Sequence, residues 1–171
     1  MPEDWIRQWG DPTLREVAHP VVQVDDLVRR HVSRMQRLMV EATGAGLAAT
    51  QVGLLRRLFV FRISSESEPD VLLNPVITTS SAERVLFTEG CLSFDSVVVE
   101  VERPAAVRVE CQDLDGRART LEVEGFGASL LQHEIDHLDG ILTLDRACPT
   151  ERRRAIAALL HGAPSSYSQA A

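Results

Sequence analysis

Two histidines and a glutamate in His133-Glu134-Ile135-Asp136-His137 have a spacing suited to metal chemistry. On a helix turning about 100° per residue, His133 and His137 lie roughly 40° apart around the axis and one turn apart along it. Both imidazoles can then reach one cation. Glu134 stands on the flank of that face, close enough to handle a proton on a metal-bound water without itself being a ligand. The neighbours suit a helix with a core face and a chemical face. Leu131, Ile135 and Leu138 follow an i, i+4, i+7 pattern away from the histidines, and Gly140 stands where a left-handed cap would end the run. The plain alternative is two surface histidines on an amphipathic helix with an incidental Glu between them. A catalytic site of the metal kind typically has three protein ligands and one open position, so a third ligand must come from elsewhere.

Three cysteines and one further histidine bear on that search. Cys91 sits in Thr88-Glu89-Gly90-Cys91-Leu92-Ser93 after an extended stretch. A cysteine there is either a thiolate ligand or a small buried hydrophobe, and its own segment leaves both open. Cys111 falls in an alternating strand and reads as packing. With Cys148 the cysteines are odd in number and widely spaced, which argues against a disulfide framework and fits a reducing cytoplasm. His31 reads as a partly exposed helix position.

The elements that must position these groups follow from pattern. Residues 1–24 read as an irregular arm, with a turn at Gly10-Asp11-Pro12 and extended backbone forced at His19-Pro20. Asp25 and Asp26 open a helix to about Thr43, its apolar positions being Leu27, Val32, Met35, Leu38 and Met39. Gly44-Ala45-Gly46-Leu47-Ala48-Ala49 formally matches a dinucleotide fingerprint. That fingerprint should follow a strand and open a helix, whereas here a helix precedes it and the strand Leu58 to Ile63 follows, so a nucleotide loop is rejected. The glycines mark either backbone brought close to something, with Gln51 at the end of the run, or a tight connection.

Further on, Val71-Leu72-Leu73 is a short strand stopped by Asn74-Pro75, with Val76 to Thr79 extended beyond it. Strands follow at Val97 to Val99, Val107 to Cys111 and Leu121 to Val123, the last two joined by the hairpin turn Asp113-Leu114-Asp115-Gly116. Phe126 leads into the histidine helix. A shorter helix covers about 150–161, with Arg152, Arg153 and Arg154 on a solvated face, and residues 165–171 read as a frayed tail. The order predicts an α+β fold: mostly antiparallel strands around a central His-Glu-x-x-His helix, with an N-terminal helix and a short C-terminal helix.

The chain has 171 residues, 44% hydrophobic and 25% charged, and reads as one globular domain over 1–171. A net charge of -7 argues against specific nucleic-acid binding. No apolar run approaches the ~18 residues of a membrane span, and Met-Pro-Glu-Asp-Trp lacks a signal peptide's basic and apolar regions.

Three segments together resemble the signature motifs of the peptide deformylases, in the family's order. Gly44 to Gln51 is similar to G-x-G-x-A-A-x-Q, Glu89 to Ser93 matches E-G-C-L-S letter for letter, and Gln132 to His137 matches Q-H-E-x-D-H. Gly10 to Arg15 and Asn74-Pro75 also look like the family, so the resemblance runs to about Arg146. It implies that Cys91, His133 and His137 hold one divalent metal ion, commonly Fe(II) in the cell, with zinc, nickel or cobalt as substitutes. It further implies a cytoplasmic hydrolase that removes the N-formyl group from the initiator methionine of nascent chains. Metal-bound hydroxide would attack the formyl carbon. Glu134 would serve as general base and acid, and the Gln51 amide and Leu92 backbone N–H as oxyanion donors. Gly44, Ala45, Gly46, Glu89, Gly90 and the Val98 position would meet substrate, with the peptide extended beside the glycines. Glu89 would buttress the site, with Arg103 its partner by charge.

The chain departs from the family after Ser93. The family usually has Pro two residues on and Arg three further; here these are Asp95 and Val98. In the family that segment borders the methionine pocket and the substrate path. Two other functions are therefore weighed: a deformylase-like hydrolase acting on a different N-acyl or formamide substrate, and a non-catalytic metal-binding homologue. Retention of Glu134 and Gln51 argues against the second, because a purely structural site needs neither. Monomer and dimer both stay open.

Overall fold

The computed structural model describes residues 5–94 and 97–161. Helix α1 spans Asp26–Glu41 and starts where the Asp25 side chain accepts the Val28 N–H at 2.8 Å. It ends two residues before Thr43, whose φ of 56° is incompatible with continuing the helix. Its buried stripe is Val28, Val32, Met35, Leu38 and Met39. Leu27, expected in that stripe, is 41% exposed; the stripe begins one residue later, at Val28.

Strands β1 (Gly46–Ala48), β2 (Leu58–Phe61), β3 (Asp70–Ser80), β6 (Ala106–Gln112) and β7 (Ala118–Glu124) form an antiparallel sheet in the order β1-β2-β3-β6-β7. Strands β4 (Arg84–Gly90) and β5 (Val98–Pro104) form a separate antiparallel pair. Strand period two divides the large sheet's contacts between two helices. Leu58 and Val60 pack with the α1 stripe, while Phe59 and Phe61 pack with Leu131, Ile135 and Leu138 of helix α2 (Gly125–Leu138). A third cluster joins Phe94, Val99 and Val101 to Leu142 and Leu144 around helix α3 (Thr143–Arg146) and to Ala155 of helix α4 (Pro149–His161).

One expectation is corrected here. Asn74-Pro75 does not stop a strand: β3 runs through it, with a register shift between Leu73 and Val76. Asn74 is left-handed at φ 51°, and its side chain both accepts from Val21 N–H and donates to Val21 O and Gln112 Oε1. Those bonds offset the conformational cost of αL. In helix α2 Gly127 to Leu138 are all buried, so the expected chemical face lies inside the protein and the alternative of two surface histidines on an amphipathic helix is excluded. Strand β1 and helix α3 were not anticipated and β4 only as an unbounded extended stretch before Cys91, and the arm contains a 3-10 turn at Pro12–Arg15 and an isolated bridge from His19 to Arg56. Gly140 is left-handed, as the cap position requires. The tail 165–171 and Asp95 lie outside the described residues. Among the described residues, no helix is long and apolar enough to cross a membrane.

Candidate metal centre and active site

Helix α2 brings His133 and His137 onto one face with their rings 5.0 Å apart. Cys91 arrives from the turn after β4, its Sγ 3.2 Å from His137 Nε2. One ligand atom from each of Cys91, His133 and His137 lies within 4.8 Å of the others. Both histidines are buried and Cys91 is half-buried at the edge of a cleft of about 400 Å³. Of the other cysteines, Cys111 is buried in β6 and Cys148 is exposed; neither belongs to the cluster.

The surroundings orient this cluster. His133 Nδ1 donates to Glu89 Oε2 at 3.0 Å, which leaves Nε2 for the cluster. Glu89 also accepts from Ser129 Oγ at 2.8 Å and from both sides of the Arg103 guanidinium, at 2.5 and 3.0 Å. Arg103, only 4% exposed, further donates to Asp136 at 2.8 Å, and Asp136 in turn accepts from Arg146. Each buried charge thus has an opposite partner, the condition under which such burial is tolerable. Burial alone would raise the Glu89 pKa, but the bonds from His133 and Arg103 outweigh it and leave it at about 2. Glu89 lines the cleft, yet its carboxylate is committed to holding His133.

Gln51 sits in the 3-10 turn Ala49–Val52 that follows β1, almost wholly buried. Its Oε1 accepts the Ala48 N–H at 2.8 Å, while its Nε2 donates to Ser93 Oγ at 3.0 Å and lies 3.6 Å from Cys91 Sγ. The fastened oxygen turns the amide NH₂ toward the cluster. The glycines of the preceding run have a packing reason. A Cβ on Gly46 would come within 2.7 Å of Glu134 Cδ, and one on Gly44 within 2.7 Å of Leu92 Cδ1. Each glycine makes room for a residue of another motif, and Gly44, Ala45 and Gly46 all line the cleft.

Glu134 is buried, lines the same cleft, and its Oε2 has no hydrogen-bond partner. Desolvation is the main influence on it and raises its pKa to about 7, against the opposing charge of His133. At His137 burial and the neighbouring His133 depress the pKa well below its ordinary value. At His133 burial acts in the same direction but is overcome by the Cys91 sulfur and Glu89, which raise its pKa. One thiol sulfur and two imidazole nitrogens within 4.8 Å of one another are a donor set that fits a divalent cation of borderline softness.

Sequence reasoning missed several contributors. Ser93, Ser129, Asp136 and Arg146 act through hydrogen bonds between distant segments, though the acid at Asp136 inside the histidine motif was a visible signal. The N-terminal arm is also more than a leader into α1: Arg7 N–H donates to Gln51 O at 2.7 Å, Trp9 N–H to Ser93 O at 2.8 Å, and Gln8 Nε2 to Leu92 O at 3.0 Å. Leu92, Gly90 and Val98 all line the cleft.

An α+β fold with a cysteine and two helix-borne histidines grouped around a cleft, and a glutamate beside them, defines a metallohydrolase. The sequence model of the polypeptide deformylase family matches residues 3–153. A peptide deformylase of Rhizobium meliloti is 44% identical over 149 residues, 85% of this chain and 86% of that protein. The crystal structure of a peptide deformylase from Legionella pneumophila superposes with a TM-score of 0.87 at 36% identity, covering 92% of this chain and 93% of that one. One from Synechococcus elongatus in complex with actinonin superposes at 0.85, also at 36% identity, covering 92% and 85%. The chain belongs to the peptide deformylase family.

Proposed function

We propose that this chain removes the N-formyl group from the N-terminal methionine of newly made polypeptides in the cytoplasm, using one divalent metal ion held by Cys91, His133 and His137. Fe(II) is the ion proposed for the cell, with zinc, nickel or cobalt as substitutes; a thiolate with two imidazoles suits all four. The observation that carries the reading is the orphaned Glu134 Oε2, buried on a residue that lines the cleft together with Cys91 and His133. A purely structural ion would need four protein ligands and no such carboxylate.

A metal held by Cys91, His133 and His137 would supply Lewis acidity, lowering the pKa of a bound water and polarising the formyl carbonyl. Glu134, buried and with an unpartnered Oε2, is placed to take a proton from the attacking water and return it to the departing amine. Gln51 Nε2–H and the Leu92 N–H are the donors for the oxyanion. Strand β1 is an end strand of the sheet, and the peptide adds alongside it and the Gly44-Ala45 segment that leads into it. Phe87, Phe126, Leu130 and Val97 give the cleft an apolar wall for the methionine side chain.

Two predictions arise here. Gln51→Ala should retain the metal and lose on the order of 10²-fold in kcat, the usual cost of an oxyanion donor. Metal loss in that variant would show that Gln51 holds the ligand set instead. Val98 replaces a long cation with a short β-branched side chain that cannot pair with a carboxylate or donate a hydrogen bond. Val98→Arg should lower KM for formyl-Met peptides by about 3- to 10-fold, the worth of one such bond, with little change in kcat. Identical substrate rankings and an unmoved KM across peptides of different length and charge would remove Val98 from the specificity determinants.

A different N-acyl substrate is separated by a panel of formyl-Met, acetyl-Met and formyl-amine compounds. Preference for formyl-Met peptides supports the proposal; preference for another acyl group replaces it.

A further inference from the structure

The buried charges behind the ligand set run in one line from His133 to the surface. His133 Nδ1 donates to Glu89 at 3.0 Å, and the Arg103 guanidinium holds Glu89 at 2.5 and 3.0 Å. Arg103 donates onward to Asp136 Oδ2 at 2.8 Å. Arg146 closes Asp136 from its other side, Nη2 reaching Oδ1 at 2.6 Å and Nε reaching Oδ2 at 3.1 Å. Glu89, Arg103 and Asp136 are buried, whereas the Arg146 side chain is 47% exposed, so the line starts at a metal ligand and ends in solvent. Two carboxylates and two guanidiniums alternate along it and sum to no net charge. Helix α3, which carries Arg146, also meets the other end of the line: the buried Thr143 has its Oγ1 3.5 Å from His133 Nδ1. Arg146 itself lines no part of the cleft.

We propose that Arg146 is a positioning residue for His133, acting through Asp136, Arg103 and Glu89 to set how strongly Glu89 accepts the His133 Nδ1–H. Arg103 is the shared member of the line, bonded to both carboxylates. With Arg146 in place, Asp136 is served by two guanidiniums and Arg103 keeps both prongs on Glu89. Without that outer charge, the buried group carries one negative charge in excess, where solvent screens it poorly. Asp136 then draws on Arg103, and Glu89 pulls harder on the His133 proton. A ring whose Nδ1–H is pulled harder donates more strongly from Nε2, the nitrogen left for the ligand set. An ion pair between two exposed groups would contribute little. Here one partner, Asp136, is buried and already committed to Arg103, so the loss of Arg146 is felt inward. The consequence for deformylation rests on the function proposed above; the effect on His133 does not.

The experiment follows the His133 Nδ1–H proton by nuclear magnetic resonance in the full zinc-loaded chain, comparing wild type with Arg146→Gln, Arg146→Lys and Asp136→Asn. Arg146→Gln removes the outer charge and should move the resonance downfield, as a stronger bond to Glu89 requires. Arg146→Lys keeps the charge and should leave the resonance near its wild-type position. Asp136→Asn removes the opposite charge, frees Arg103 for Glu89, and should move the resonance upfield. Loosened packing alone would move Arg146→Gln and Asp136→Asn in the same direction, and that result would overturn the proposal. So would a resonance in Arg146→Gln that coincides with wild type. Where Asp136→Asn fails to fold, the other two variants decide: equal displacement in Arg146→Gln and Arg146→Lys rejects the charge balance. In steady-state kinetics on formyl-Met peptides, Arg146→Gln should lower kcat by about 3- to 10-fold, less than the roughly 10- to 100-fold of changing a ligand's own partner. KM should not move, because Arg146 stands outside the cleft, and a loss confined to KM would also overturn the proposal. If wild type fails to turn over formyl-Met peptides, the function proposed above fails, while the proton resonance still decides the role of Arg146.

Discussion

Glu134→Gln is expected to bind its metal normally and to lose deformylation by roughly 10²–10⁴-fold, the range for removal of a positioned general base. The substitution is nearly isosteric and removes only the ability to accept and return a proton. The surroundings of Glu134 suit the proposed proton transfer. Glu134 is buried, Oε2 has no partner, and desolvation brings its pKa to about 7, where both protonation states are accessible. Gly46 lies against its side chain, so a glutamine fits the same space without displacing β1. Metal analysis beside kinetics separates chemistry from assembly: full metal with near wild-type turnover would assign the proton to another group.

The second large effect is expected at Cys91. Cys91→Ser should weaken metal binding by at least roughly 10-fold, because a hydroxyl is a far poorer ligand than a thiolate for a borderline ion. Cys111→Ser is the control. It sits in β6, bonded to the Arg119 carbonyl at 3.6 Å and outside the ligand cluster, so metal content should be unchanged. Stability is the property that should move in Cys111→Ser, since a hydroxyl replaces a small buried hydrophobe. Equal metal loss in both variants would contradict the assignment of Cys91.

How much of this was legible before the fold was known depended on whether the signal was local. The helix bearing His133 and His137 could be read because i, i+4 spacing is itself a geometric statement, and α1 could be read because Asp25 caps it directly. Strand β1 could not be read. Gly46-Leu47-Ala48 is three buried residues in a row, and small side chains carry no alternation. The bounds of strand β4 were hidden for the opposite reason, most of it being exposed. Asn74-Pro75 has the look of a stop, and only the bonds from Asn74 to Val21 and Gln112 explain how β3 continues.

In the site, Arg103 was chosen as the partner of Glu89 by charge alone, and the structure pairs them through both carboxylate oxygens. The link from Ser93 to Gln51 depends on residues 42 positions apart meeting, which no local pattern encodes. The same holds for the arm, whose backbone bonds to Gln51 and Ser93 carry no side-chain signature.

The most direct test of the central claim is formate release from a formyl-Met peptide, measured with metal content on the same anaerobically purified sample. The account predicts one divalent metal per chain, formate release that falls in step with metal on chelation, and recovery of both on adding Fe(II). Full metal occupancy without formate release, or formate release that persists after the metal is gone, would contradict it.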